Sequence, residues 1–361
     1  MKQFKLKNLL TAAALISVIA ACKKDRNIVV DNPPATGGIY VLNQGEFNKN
    51  NSTLSYFDYA SKTATSDRFS AVNGTKIGDT GNDAKIYGSK MYIVVNVSST
   101  VEVVDAKSTK SIKQIKFFNG TVARQPRSVV FSKNKAFISS YDGTVAVMDT
   151  TTLAVEKYIT VGRNPEQMVV SNGKLYVANS GGLSFGNPDK TVSVIDLNTL
   201  SETKKITVIA NPVSMAADSY GNVYVLSTGD YANVKAGMTI IDNTTDAVKT
   251  QSTALAGAYG TSITISGDNA YFLSADNRVV VYNVKSQTVA KANFITDGTV
   301  IKTPYNIAFD SSTGEVFVTD AKDYDSNGQL FAFDKNGVLE KDKGYPVTVG
   351  VNPGAMVFVN K

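Results

Sequence analysis

Short apolar runs alternate with polar breaks along nearly the whole chain, and the clearest set lies between residues 164 and 208. Four runs rich in β-branched and aromatic residues occur there: MVV, LYVAN, VSVI and KKITV. Gly, Asn, Asp and Pro, which favour turns over strands, fill the breaks between them. The pattern predicts four short strands that form one antiparallel unit.

The same four-strand pattern recurs at intervals of 39 to 52 residues, which indicates a repeat protein. An aromatic residue marks the second strand of each unit: Tyr40, Tyr92, Phe137, Tyr176, Tyr224, Tyr271 and Phe317. An Asp or Asn ends each third strand: Asp58, Asp105, Asp149, Asp196, Asp242, Asn283 and Asp334. A proline opens five of the first strands: Pro126, Pro165, Pro212, Pro304 and Pro353.

The two ends of the repeat region complement each other. Residues 351–360 form a first strand headed by Pro353 with nothing after it, whereas the first unit, from Gly38, begins at its second strand. A C-terminal strand that completes the first unit closes the ring and leaves no sheet edge exposed. We therefore predict an all-β fold, a seven-bladed β-propeller of four-stranded antiparallel blades. Eight blades, or a pair of β-sandwiches, are the alternatives.

The N-terminus has the features of a bacterial lipoprotein leader. Lys2, Lys5 and Lys7 precede a mostly apolar run of 13 residues, which is too short to span a bilayer. The run ends in Ile-Ala-Ala-Cys, which resembles a lipobox with Cys22 as the lipidated residue. The alternative is an ordinary secretory signal with a cysteine near it by chance. We predict a signal peptide at 1–21, a tether at 22–37, a propeller at 38–361, and an outer-membrane location at the cell surface.

Charge and composition exclude several functions. The formal net charge is +6, but removal of the leader takes away three Lys, so 34 basic and 31 acidic side chains remain, a net charge of +3. No basic block with interleaved aromatics occurs, so we expect no nucleic-acid partner. The sequence has no His and one Cys, which removes Ser-His-Asp chemistry, imidazole ligands and a cysteine nucleophile beyond Cys22. Catalysis would have to use a carboxylate, Tyr or Lys. We expect a protein that is not an enzyme, and a propeller that is monomeric.

One stretch resembles a calcium-binding loop. Asp323, Asp325 and Asn327, followed by Gly328, match the first six positions of the D-x-[DN]-x-[DN]-G pattern. The twelfth position is Asp334, which a strand at ~3.3 Å per residue would place roughly 20 Å away. We expect no required cofactor, with calcium at these three residues as the weak candidate and a polar turn as the alternative.

Loop lengths divide the predicted propeller into two faces. The loops between strands three and four, together with those between strands one and two, lie on one face, which we call the short-turn face. The loops between strands two and three lie on the opposite, long-loop face with the connections between blades. Length variation and aromatic or Arg side chains mark binding surfaces of repeat scaffolds. The candidate ligand-binding residues on the long-loop face are Phe47, Arg124, Arg127, Tyr141, Arg163, Phe185, Tyr231, Tyr259, Tyr305 and Tyr324. The alternative is that single aromatics fold down onto their own loops.

The words LYVANS, VSVIDLNT and VGRNPEQMVV resemble the YVTN-repeat propellers, also called YncE-like or surface-layer-type proteins, over about residues 38–360. Within that resemblance, the lipobox, length and blade count are similar to the cobalamin-capturing surface lipoproteins of gut Bacteroidetes. This resemblance implies cobalamin as the ligand and an outer-membrane TonB-dependent transporter as the partner. The alternatives are a propeller that binds a glycan or a protein, and a calcium-assisted hydrolase or lactonase-like propeller.

Overall fold

The structure is a computed structural model that describes residues 35–255 and 262–360. The predicted leader, the lipidation residue Cys22, most of the predicted tether and the candidate Tyr259 lie outside the described residues. The described chain consists of seven four-stranded antiparallel sheets and one two-stranded hairpin. No helix among these residues is long and apolar enough to cross a membrane.

Each four-stranded sheet is one blade, numbered in chain order, with its strands named from the innermost outwards. Blade 1 consists of Pro353–Asn360, Thr36–Asn43, Thr53–Asp58 and Thr63–Thr65. Blade 2 consists of Gly81–Tyr87, Lys90–Val95, Thr100–Asp105 and Ser111–Lys116, and blade 3 of Pro126–Ser132, Lys135–Ser140, Thr144–Asp149 and Val155–Thr160. Blade 4 consists of Pro165–Ser171, Lys174–Asn179, Thr191–Asp196 and Ser201–Thr207, and blade 5 of Pro212–Ala217, Asn222–Ser227, Gly237–Asp242 and Ala247–Ser252. Blade 6 consists of Ile263–Ser266, Asn269–Leu273, Val279–Asn283 and Thr288–Lys291, and blade 7 of Pro304–Asp310, Glu315–Asp320, Asn327–Phe333 and Val347–Val351.

The C-terminal strand closes the ring. Pro353–Asn360 pairs antiparallel with Thr36–Asn43 and is the innermost strand of blade 1. Ile39 lies opposite Phe358 in this pairing, and Tyr40 lies opposite Val357. The predicted seven-bladed propeller, with a first blade built from both ends of the repeat region, is confirmed.

The core lies between neighbouring blades. All seven aromatic anchors of the second strands are buried. Tyr176 of blade 4 packs against Val223 and Val225 of blade 5, and its hydroxyl donates to Asp246 Oδ1 at 2.6 Å. Burial, together with this carboxylate, raises the pKa of Tyr176. These aromatics therefore belong to the packing between neighbouring blades.

The turns between strands three and four follow one design in most blades. Asp196 Oδ1 accepts the backbone N–H groups of Asn198 and Thr199 at 2.9 and 2.8 Å, and Leu200 N–H donates to the Asp196 carbonyl at 2.8 Å. The carboxylates of Asp105, Asp149 and Asp242 accept N–H groups two and three residues on in the same way. These are Asx turns, in which the side chain of an Asp accepts backbone N–H groups that follow it in the chain.

The prediction of a short turn is wrong for blade 7. Asp334 does form a turn, because its carboxylate accepts the N–H groups of Asn336 and Val338 at 2.9 Å each. However, Leu339 makes only an isolated bridge to Phe333, and the chain passes through a short 3₁₀ helix, Lys341–Lys343, before the fourth strand. Residues 334–346 therefore form a long connection on the short-turn face.

Two of the connections between blades contain a short element of secondary structure. The α-helix Arg68–Asn73 joins blades 1 and 2; the Asp67 side chain caps its N-terminus, and Gly74, with φ of 68°, ends it. The hairpin of Phe118–Asn119 and Val122–Ala123 joins blades 2 and 3. Both are too short to show as hydrophobic periodicity in the sequence.

Candidate functional site

The long-loop face is held together by a backbone hydrogen bond that recurs around the ring. In six of the seven blades, the N–H that follows a second strand donates to the carbonyl of the residue before an inner strand. The pairs are Asn96–Thr80, Tyr141–Gln125, Ser180–Asn164, Thr228–Asn211, Ala321–Thr303 and Gln44–Asn352, at 2.8 to 3.2 Å. This bond ties each loop between strands two and three to a blade connection, as the predicted division into faces requires. Blade 6 departs from this pattern, because the N–H of Ser274, which follows its second strand, donates to the Arg278 carbonyl at 2.9 Å.

A polar network joins blades 2, 3 and 4 at the channel mouth of this face. Arg127 donates through Nε and Nη2 to Glu166 Oε2, at 2.9 and 2.8 Å. Its Nη1 also donates to Asn82 Oδ1 on the other side. Tyr141 donates its hydroxyl to Glu166 Oε1 at 2.5 Å, and its ring lies 4.6 Å from the guanidinium carbon. Although burial disfavours the cation, the Glu166 carboxylate more than offsets it, so the pKa of Arg127 is raised.

A second group of side chains joins blades 7 and 1 on the same face. Tyr305 donates its hydroxyl to Gln44 Oε1 at 2.8 Å and meets Tyr324 edge-on, with ring centroids 6.2 Å apart. Asn352 Nδ2 donates to the carbonyls of Gly45 and Tyr324, at 2.9 and 3.2 Å. Two predicted site residues, Tyr305 and Tyr324, are thus in contact.

The other two arginines of the predicted site brace loops. Arg124 pairs with Asp142, and its guanidinium stacks 3.9 Å from the centroid of the Tyr158 ring. Arg163 donates to Ser184 Oγ and to the Asn187 carbonyl at 3.1 Å each, which supports the long loop of blade 4. The side chain of Arg163 is half exposed, so it still presents donors to the surface.

A cavity of about 570 Å³ lies on this face where blades 3 and 4 meet. Its volume is in the range of small-molecule sites. Tyr141 and Arg163 contribute to its wall, and Lys205 adds a second cation. The remaining lining residues are Asp142, Gly143, Thr160, Val161, Gly162 and Asn164. The structure therefore places two sequence-predicted residues at one cavity.

Several loops present apolar side chains to solvent. Phe185 is 89% exposed and Phe47 is 70% exposed, so neither ring folds down onto its own loop. Tyr231 and Tyr324 are also more than half exposed. Tyr231 is held at its hydroxyl, which lies 3.2 Å from Asn211 Nδ2 and 3.1 Å from Thr228 Oγ1. We call the exposed side chains of Phe47, Leu183, Phe185, Tyr231, Val234 and Tyr324 the apolar crown.

Residues 37–351 match the family described as "Domain of unknown function (DUF5074)". The chain belongs to the DUF5074 family. No curated protein matches the sequence. The resemblance to the YncE-like and cobalamin-capturing propellers stays a prediction.

Solved structures share the fold of this DUF5074 propeller. A quinonprotein alcohol dehydrogenase-like protein from Bacteroides thetaiotaomicron is 19% identical, with a TM-score of 0.64 over 90% of this chain and 78% of that one. Hydrazine synthase of Kuenenia stuttgartiensis is 15% identical, with a TM-score of 0.58 over 71% of this chain and 77% of that one. At these identities the likeness concerns the fold alone.

The calcium-like loop of the DUF5074 propeller is closed by its own hydrogen bonds. Asp323 Oδ1 accepts the N–H groups of Asp325 and Ser326 at 3.2 and 2.8 Å, and Oδ2 accepts the Ser326 hydroxyl at 3.1 Å. The Ser326 N–H, then that of Asp325, holds the pKa of Asp323 below its usual value. Asn327 begins a strand. The described part of the chain gathers no group of three or more His, Cys, Asp or Glu for a metal. Calcium binding stays a prediction.

Sequence reasoning missed Asn82, Glu166, Gln44 and Asp142, which complete the networks around the predicted residues. A signal for two of them was present in the repeat. Asn82, Arg127, Glu166 and Tyr305 are each the second residue of an inner strand. Equivalent positions of neighbouring blades converge at the channel mouth, so aligning the repeats would have placed these side chains together.

Proposed function

We propose that this DUF5074 propeller is a lipid-anchored protein of the cell surface. It binds cobalamin on its long-loop face and holds it for a TonB-dependent outer-membrane transporter. The observation that carries the proposal is the apolar crown around a polar mouth on one face. The exposed rings of Phe47, Phe185, Tyr231 and Tyr324 offer contact area to a ligand on that face.

The chemistry of the face suits this ligand. Cobalamin presents broad apolar surfaces edged with amide groups. The rings of Phe185 and Tyr231 supply apolar contact area, and amides find donors in Arg163 and the hydroxyl groups of tyrosine. The 570 Å³ cavity beside Arg163 accepts part of such a ligand.

The arrangement favours recognition over catalysis. Glu166, a carboxylate at the mouth, is engaged by Arg127 on one oxygen and by Tyr141 on the other. Mutually bonded groups of this kind form a preorganised surface for a ligand. We therefore propose that the protein is a binding protein and not an enzyme.

Titration calorimetry of the purified mature protein with cyanocobalamin tests the proposed ligand. We expect saturable binding at a ratio of one to one. Phe185→Ala combined with Arg163→Ala should weaken it, whereas Asp105→Asn on the short-turn face should not. Absence of binding to the natural protein would overturn the assignment of cobalamin.

The anchor has its own test. Cells that express the protein are labelled with a radioactive fatty acid, and we expect label in the natural protein and none in Cys22→Ala. Protease shaving of intact cells then reports whether the propeller faces outwards. Label that persists in Cys22→Ala would overturn the lipoprotein part of the proposal.

A further inference from the structure

A second cavity, of about 400 Å³, lies on the short-turn face between blades 7 and 1. It is remote from the apolar crown and independent of the function proposed above. Its wall consists of Ala35, Thr36, Phe57, Tyr59, Ser312, Thr313, Glu315, Lys343 and Tyr345. Three of these nine side chains are aromatic.

The long connection of blade 7 creates this cavity. Tyr345, which is buried, packs against Phe57 and Phe317 with ring centroids 5.2 and 5.8 Å apart. Lys62 in the turn of blade 1 donates through Nζ to the Asp342 carbonyl at 2.5 Å. The connection is therefore fixed to the neighbouring blade, and the aromatic wall is held in place.

A buried carboxylate behind the wall lacks a counter-charge. Asp310 is 2% exposed, and its Oδ1 accepts Thr36 Oγ1 at 3.1 Å and the Ser312 N–H and hydroxyl at 2.8 Å each. Its Oδ2 has no hydrogen-bond partner among the described residues. Thr36 and Ser312 both line the cavity, so the carboxylate stands directly behind their hydroxyls.

Lys343, the cation in the cavity wall, is already shared by two carboxylates. Glu315, whose side chain is 5% exposed, pairs with Lys343 Nζ at 2.5 Å. Lys343 also lies 3.3 Å from Glu340. No ion pair to Asp310 occurs within residues 35–255 and 262–360. The cavity thus carries an excess of negative charge, and burying such a charge without a partner is costly.

Tyr59 adds a second polar group to the wall. Its hydroxyl is buried next to the Tyr345 hydroxyl, without a well-formed hydrogen bond to it. Burial, followed by the neighbouring Tyr345 and Asp310, raises the pKa of Tyr59, so the hydroxyl stays neutral. A neutral hydroxyl both donates and accepts, and it is available to a ligand in the cavity.

We propose that this cavity binds a small organic ammonium ion. An ammonium group supplies the positive charge that Asp310 lacks and donates hydrogen bonds to hydroxyl oxygens. The rings of Phe57, Tyr59 and Tyr345 attract a cation through their faces and cover its apolar part. The volume of about 400 Å³ suits an organic ion rather than a bare metal ion.

Two probes of matched shape test the proposal by titration calorimetry at pH 7 with the full-length mature protein. Phenethylammonium carries the charge, and phenethyl alcohol is its neutral counterpart. We expect the ammonium ion to bind at least tenfold more tightly. Asp310→Asn should remove that tenfold preference, whereas Asp242→Asn, in a turn of blade 5, should leave it unchanged.

The hydroxyl provides a second variant in case Asp310→Asn does not fold, as judged by circular dichroism. Tyr59→Phe keeps the ring and should bind phenethylammonium several-fold more weakly. It should also melt near the temperature of the natural protein, so that the loss of affinity reports the missing hydroxyl and not misfolding. Equal affinity for the two probes, no binding of either probe to the natural protein, or unchanged ammonium affinity in Tyr59→Phe would overturn the proposal.

Discussion

Arg127 of blade 3 and Glu166 of blade 4 form an ion pair with Nη2 and Oε2 2.8 Å apart. Their side chains are only 19% and 12% exposed, so water screens the pair weakly. The same guanidinium reaches Asn82 of blade 2. One side chain thus links three consecutive blades on the long-loop face.

The first prediction concerns the stability of this link. Arg127→Ala leaves the Glu166 carboxylate without the donors of the guanidinium, so we expect the free energy of unfolding to fall by about 1–3 kcal/mol. The control is Arg278→Ala. The side chains of Arg278 and its partner Asp276 are 47% and 57% exposed, so loss of this ion pair should lower the free energy of unfolding by at most about 0.5 kcal/mol. Urea denaturation measures both. Equal effects of the two changes would contradict a special role for the pair at the mouth.

The second prediction concerns closure of the ring. Deletion of residues 353–361 removes the innermost strand of blade 1 with the buried side chains of Ala355, Val357 and Val359. Each buried valine contributes roughly 1.5–3 kcal/mol, and the deletion also exposes a strand edge. We expect loss of cooperative unfolding and aggregation, measured by thermal melting and gel filtration. A monomer with an unchanged melting temperature would argue against closure, and removal of residue 361 alone is the control.

The repeat made the fold predictable, since an aromatic anchor and a turn Asp fix the register of each blade. Tyr176 and Asp196 each report one local environment, a buried inter-blade site and a closed turn. Such environments recur from blade to blade, so a wrong assignment in one unit is exposed by comparison with the others. The candidate face followed from the same register, because loop length can be read directly between anchors.

The rest depended on contacts that have no repeat. The pairing of Arg127 with Glu166 joins residues 39 positions apart, and neither residue type is unusual at a surface. The connection of residues 334–346 was missed because its Asp-Lys-Asn-Gly turn looks like the others, yet the fourth strand starts only at Val347. Asp310 appears in the sequence as a common turn residue, and only its burial reveals the missing counter-charge.

The third prediction concerns acid stability. The N–H groups of Thr199 and then Asn198 hold the pKa of Asp196 below its usual value. A carboxyl whose pKa is depressed by folding stabilises the native state above its unfolded pKa of about 3.9, and this contribution is lost as the pH falls through the folded pKa. Asp196→Asn keeps a side-chain oxygen that accepts hydrogen bonds but does not titrate. Blade 6 has such a turn naturally, because Asn283 accepts the Ser286 N–H at 2.8 Å there.

We therefore expect Asp196→Asn to lose less stability than the natural protein between pH 5 and pH 2. Urea denaturation across that range gives the two slopes. Asn283→Asp is the reciprocal variant and should steepen the dependence. Parallel curves for all three proteins would show that the turn carboxylates do not govern acid unfolding.

The fourth prediction maps the proposed ligand site and rests on the division of the propeller into two faces. Phe185 and Tyr231 are exposed on the long-loop face, and removing either ring deletes contact area without opening the core. Phe185→Ala and Tyr231→Ala should each weaken cobalamin binding by about 1–4 kcal/mol with little change in melting temperature. Asp196→Ala should do the reverse, because it breaks a turn on the other face.

The spectrum of the bound ligand gives the last test of this site. Since the sequence has no His, no imidazole of the protein can replace the axial ligand of cobalt. The absorption bands of bound cyanocobalamin should therefore match those of the ligand in solution. If Asp196→Ala weakens cobalamin binding and the variants of Phe185 and Tyr231 do not, the ligand lies on the short-turn face. A spectral shift typical of exchange of the axial ligand would mean that a side chain other than His coordinates cobalt. Binding at the surface through the apolar crown would then be wrong.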